Sequence, residues 1–126
     1  MRSGPWRWAT SPVAAAAFVL ALAVPHVPAL AHHGWSQYGG DEFTLTGVIE
    51  EVYLGNPHGE LKVSVDGQVW NVVLGPPSRN QRAGIEDGVI AVGDTVTAVG
   101  NRHRDGGTLE IKARLIEKNG AGYQIY

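Results

Sequence analysis

Two kinds of hydrophobic pattern divide the chain. From Val13 to Val24 apolar residues run almost unbroken, whereas from Phe43 onward they alternate with polar ones, the period of half-buried strands. Phe43, Leu45, Gly47 and Ile49 alternate with Thr44, Thr46, Val48 and Glu50, which predicts a first strand running to Tyr53. Gly47 in its middle predicts a bend or bulge. The strand should end at Gly55-Asn56-Pro57-His58-Gly59, because Pro57 has no N–H for a ladder and the glycines permit a reversal. Leu61, Val63 and Val65 then face one way and Lys62 and Ser64 the other, giving a second strand over Glu60–Val65. Asp66-Gly67 is a two-residue hairpin signal, and a third strand follows over Gln68–Leu74, apolar on both faces and therefore covered on both.

The period changes at Pro76. Ser78 as a cap, Gln81 three residues on and Gly84 as a left-handed stop predict a helix of one or two turns. Gly93-Asp94 turns into a fourth strand, Thr95–Gly100, and the polar stretch Asn101–Gly107 reads as a hairpin loop. In the fifth strand, Thr108–Ile116, Leu109, Ile111, Ala113 and Leu115 point inward while Glu110, Lys112 and Arg114 point outward. Three strands, a short helix and two strands is the order of a five-stranded Greek-key barrel. The expected fold class is thus all-β: a small five-stranded OB-like barrel with a short helix between strands three and four, preceded by a cleaved signal peptide. A small open sandwich of the same strands is the alternative.

The unbroken apolar run belongs to that leader. Arg2 and Arg7 give it a basic start, the run is shorter than the roughly 20 apolar residues a spanning helix needs, and Ala29-Leu30-Ala31 offers small residues for cleavage. The division expected is signal peptide 1–31, flexible N-terminal arm 32–41, OB-like β-barrel domain 42–118 and C-terminal tail 119–126, on which Tyr123, Ile125 and Tyr126 can dock. Export by the general secretory route to the periplasm follows. Without Arg2 and Arg7, 8 basic residues face 12 acidic ones, a formal net charge of −4. That acidity argues against nucleic acid as a partner, and loss of the leader removes any membrane association.

Candidate chemistry gathers on histidine. The chain has no cysteine and its single methionine is Met1, so the exported part offers no sulfur ligand. Cleavage after Ala31 would free an α-amine on His32, which with its imidazole chelates a metal; cleavage after Ala29 would put histidine third from a free amine, also a Cu(II)-binding terminus. Nitrogen donors of this kind favour Cu(II). Candidate metal ligands are His32, His33 and His58, and Asn56, Pro57, His58 and Gly59 form a candidate ligand or partner loop. His103, flanked by Arg102 and Arg104, is a poorer ligand. Trp35 and Trp70 read as packing residues. No nucleophile elbow or phosphate-binding Gly-rich loop occurs, so no enzyme is expected.

Several of these segments occur together in a known family. Ala31-His32-His33, Leu45-Thr46-Gly47, Asn56-Pro57-His58, the helix start Pro77-Ser78-Arg79-Asn80, Gly93-Asp94-Thr95-Val96 and Gly100 resemble a bacterial family of small exported proteins, the domain of unknown function 6152. The resemblance implies periplasmic export and an all-β barrel, and it brings no established activity with it. The functional expectation is an exported periplasmic small β-barrel protein that binds Cu(II) through its histidine N-terminus. The alternative is a metal-independent OB-like interaction module that holds a partner protein or small ligand at the Asn56–Gly59 loop.

Overall fold

The computed structural model describes Gly4 and residues 34–126; the rest of the leader, His32 and His33 lie outside the described residues. Its elements are β1 (Tyr38–Tyr53), β2 (Glu60–Val65), β3 (Gln68–Val73), α1 (Pro77–Ala83), β4 (Thr95–His103), β5 (Glu110–Lys118) and β6 (Ala121–Gln124). The long β1 is shared. Its C-terminal half pairs with β2, from Val48↔Ser64 to Tyr53↔Glu60, and the stretch before it pairs with β4, from Glu42↔Asn101 to Val48↔Thr95. Gly47 stands at the changeover, where a Cβ would collide with the Ser64 carbonyl oxygen and come within 2.8 Å of Val63 and Val65 side chains. Glycine is needed here for close approach. The register slip itself falls between Ile49 and Glu51.

The strands form one sheet in the order β3-β2-β1-β4-β5-β6, and a parallel pairing of β3 with β5 brings it round into a ring. This corrects the expected five-stranded OB-like barrel: the sheet has six strands, and β6 lies outside the ring on the far side of β5. The ring is joined at β3–β5 through Asn71↔Glu110, Val72↔Ile111 and Val73↔Lys112 alone. The sixth strand comes from a turn. Asn119 and Gly120 both have positive φ, 51° and 79°, the conformation of a tight two-residue hairpin, and Ala121–Gln124 folds back along β5. Residues 121–124 thus belong to the sheet, and β1 begins at Tyr38, inside the stretch read as an arm.

The core lies within the ring, where Leu61, Val63, Val72, Ala98, Ile111 and Ile116 are wholly buried. The helix starts differently from the expectation. Pro76 is its N-cap and Pro77 opens it, with no side-chain capping bond; proline fits the first position because the N–H it lacks would have no helical partner. Ser78 therefore sits inside the first turn. Gly84 (φ 92°) stops the helix in left-handed geometry.

Candidate functional site

Glu110 opens β5 beside β3, and its carboxylate ends a chain of polar side chains. Lys62 donates to Asn71 Oδ1 (3.2 Å), Asn71 Nδ2 donates to Glu110 Oε2 (2.9 Å), and the Tyr38 hydroxyl donates to Glu110 Oε1 (2.5 Å). Both oxygens of Glu110 are thereby engaged. Burial, the bond to Glu110 and the charges of Glu110 and Glu60 together hold the Tyr38 hydroxyl far above its ordinary pKa, so it stays a neutral donor.

Two residues on, Lys112 occupies the same side of β5. Its side chain is 6% exposed, although strand alternation directs it outward. The cover comes from both ends of the described segment: its ammonium lies 5.6 Å from the Trp35 ring centroid and 5.7 Å from that of Tyr126, two rings that meet edge to face. It donates one long hydrogen bond, 3.4 Å, to the Leu74 carbonyl. Among the described residues, no carboxylate lies within ion-pair distance of it. Burial lowers the pKa of Lys112, and the charge of Glu110 only partly opposes this.

The loop after β1 supplies the opposite wall. Tyr53 donates to the Asn56 carbonyl (2.7 Å), and Gly59 is pinned to the end of β3 by its N–H to Gly75 (2.9 Å) and by the Leu74 N–H to its own carbonyl (2.8 Å). His58 is held between these fixed points. Its Nδ1 is out of solvent with no hydrogen-bond partner, and Glu60 Oε1, at 3.7 Å, is too far for a hydrogen bond. Between this loop and β5 opens a hollow of about 270 Å³ lined by Gly34, Gln37, Tyr38, His58, Glu60, Val73, Glu110 and Lys112.

Two larger hollows differ in kind. One of about 380 Å³ beside α1 is lined by Asn80, Glu86 and Asp87, but Asn80 already exchanges two hydrogen bonds with Gly75. Another of about 390 Å³ runs along β4 and β5, where Lys118 is paired with Asp94 at 2.7 Å. Of these three, the hollow beside His58 alone joins a buried, unpaired cation to an unbonded imidazole nitrogen.

The expected Cu(II)-binding function is corrected; of its candidate ligands His32, His33 and His58, the first two lie outside the described residues. Among the described residues, no group of three or more His, Cys, Asp or Glu side chains converges as a metal site would require. His58 brings only Glu60 near it, and His103 Nδ1 accepts the Asp105 N–H at 3.1 Å inside its own hairpin. The loop residues Asn56, Pro57, His58 and Gly59 stand together, with His58 alone of the four lining the hollow. Trp70 stacks on Phe43 at 5.4 Å, as a packing residue. Alternation places Lys112 in solvent, so pattern alone misses it; the aromatic residues Trp35 and Tyr126 at the two ends are the available signal.

An unpaired buried ammonium should cost stability. Its folded-state pKa lies below the unfolded value, so the penalty is complete below the folded pKa and fades as pH rises through it toward 10.5. Lys112→Met is expected to be more stable than the native chain by about 1 kcal/mol at pH 7, with the gap narrowing by pH 10. Denaturant unfolding of both chains at the two pH values checks this.

No helix among the described residues is long and apolar enough to cross a membrane. Among solved structures, a chain of the S. pombe Stn1–Ten1 complex is similar at 18% identity and TM-score 0.50, covering 61% of this chain and 57% of that one. Apo TiaS, a tRNA agmatidine synthetase, is similar at 16% identity and TM-score 0.46, covering 61% of this chain and 18% of that one. The first likeness concerns the fold alone. No curated protein matches. The model of the family of unknown function DUF6152 matches residues 19–112, and the chain belongs to that family.

Proposed function

We propose that this chain is a non-enzymatic, metal-independent binding module of the periplasm, holding a small polar ligand in the hollow between the Asn56–Gly59 loop and β5. The leader pattern of Met1–Ala31 supports the compartment. One observation carries the binding reading: Lys112 is buried on the wall of a hollow, and among the described residues no carboxylate lies within ion-pair distance of it, the nearby Glu110 being held by Tyr38 and Asn71. Buried charges without partners are costly, and they concentrate where a ligand completes them. The pinned Gly59 and the hydrogen-bonded Glu110 supply a rigid frame, so little ordering would be lost on binding.

The test is a set of amide spectra of the 15N-labelled chain in excess EDTA, titrated separately with acetate, methylammonium, glycine and imidazole. The expected result is a saturable shift confined to the amides around His58, Glu60, Val73 and Lys112 with at least one probe. If none of the four moves those amides, the hollow is not a binding site and the reading fails.

A further inference from the structure

The charges around the hollow carry more than the presence of a site. Lys112 is a positive charge with no carboxylate within ion-pair distance among the described residues, so an incoming anion would give it its missing partner. The two carboxylates present are not equivalent. Glu110 is used up internally by Tyr38 and Asn71. Glu60 is 38% exposed in its side chain and has only the 3.7 Å approach of His58, so it remains open to a donor. A site with one cation lacking a carboxylate partner and one open carboxylate repels a dianion and leaves half of a simple monoanion's surroundings uncompensated. A molecule bearing both charges satisfies both groups.

We infer that the hollow takes a small zwitterion of the α-amino-acid class, its carboxylate on the Lys112 ammonium and its own ammonium on the Glu60 carboxylate. This rests on the binding reading above and adds the ligand's chemistry to it. The volume of about 270 Å³ suits a molecule of a few heavy atoms. Trp35 and Tyr126 lie over the Lys112 ammonium and leave it largely desolvated. Both contacts would be charge-assisted hydrogen bonds, the stronger kind. The lowered pKa of Lys112 agrees with a cation awaiting its counter-charge.

Calorimetric titration with glycine, acetate and methylammonium tests the assignment on the native chain, Lys112→Met and Glu60→Gln. Glycine should bind the native chain more tightly than either singly charged probe. Lys112→Met should weaken glycine and acetate at least about tenfold, and Glu60→Gln should weaken glycine while leaving acetate unchanged or improved. The side-chain ammonium resonance of Lys112 in the native chain should move along the same glycine isotherm, a readout that needs neither substitution. Glycine binding that is indifferent to both substitutions, or that saturates without moving that resonance, overturns the inference. So does acetate or methylammonium binding as tightly as glycine, an outcome that leaves the hollow a binding site for another chemistry. No binding by any probe removes the binding reading itself.

Discussion

Gly100→Ala is expected to lower the melting temperature by at least about 10 °C, or to leave no cooperative transition at all. At this point β4 crosses β5 so closely that a Cβ would collide with the Lys112 carbonyl oxygen and sit 2.9 Å from Ala113 Cα. The β4–β5 register slips here, from Val99↔Leu115 to Gly100↔Ala113. A flexible side chain could rotate out of such a clash, but backbone atoms cannot, so the strands must part and their ladder with them. Overpacking costs about 1–3 kcal/mol, this case falls at the upper end, and each kcal/mol is worth about 4–8 °C in a domain of this size. Gly106→Ala, with nothing within 4 Å of its added methyl, is the control and should melt like the native chain. Circular dichroism melts of the three proteins give the answer. The residue at stake is also part of the site's support, since the crossing fixes the backbone that carries Lys112.

Asn80→Ala should be nearly as damaging. Asn80 is 2% exposed in α1 and holds both polar groups of Gly75, accepting its N–H at 2.9 Å and donating to its carbonyl at 2.7 Å. The same carbonyl accepts the Gly59 N–H, so the amide braces the segment next to His58 from behind. Removing it leaves the buried Gly75 N–H unsatisfied, at about 1–3 kcal/mol, while the Gly75 carbonyl keeps its bond from Gly59. A loss of about 1–3 kcal/mol is expected in denaturant unfolding, with accelerated hydrogen exchange at Gly59 and Gly75. An unchanged midpoint would mean that water takes over the role of the amide.

Much of the architecture is open to reading along the chain, and the gaps have physical causes. Asp66-Gly67 names its hairpin and Gly84 its helix stop, because both positions need left-handed backbone. Asn119-Gly120 carries the same signal. The following Ala121–Gln124 has no alternating apolar pattern, however, so the sixth strand and the open arrangement around it escape a reading by period. Ser78 looks like a cap, but proline at the first helical position needs none. For the site, His58 is legible from its proline-glycine loop. Lys112 is not, since period-two alternation knows only one sheet face and takes the other for solvent; here Trp35 and Tyr126, distant in sequence, cover that other face. The copper expectation draws on donor types near a cut site, and the fold brings no matching cluster to meet them among the described residues.

Lys112 and Glu60 frame a place for a ligand carrying both charges. The most direct measurement is a crystal structure of the chain grown with glycine in excess EDTA. Glycine is expected in the hollow beside His58, its carboxylate within hydrogen-bond distance of Lys112 Nζ and its ammonium toward Glu60. A hollow holding only water in crystals saturated with glycine, or glycine seated there with its ammonium toward Lys112, would contradict it.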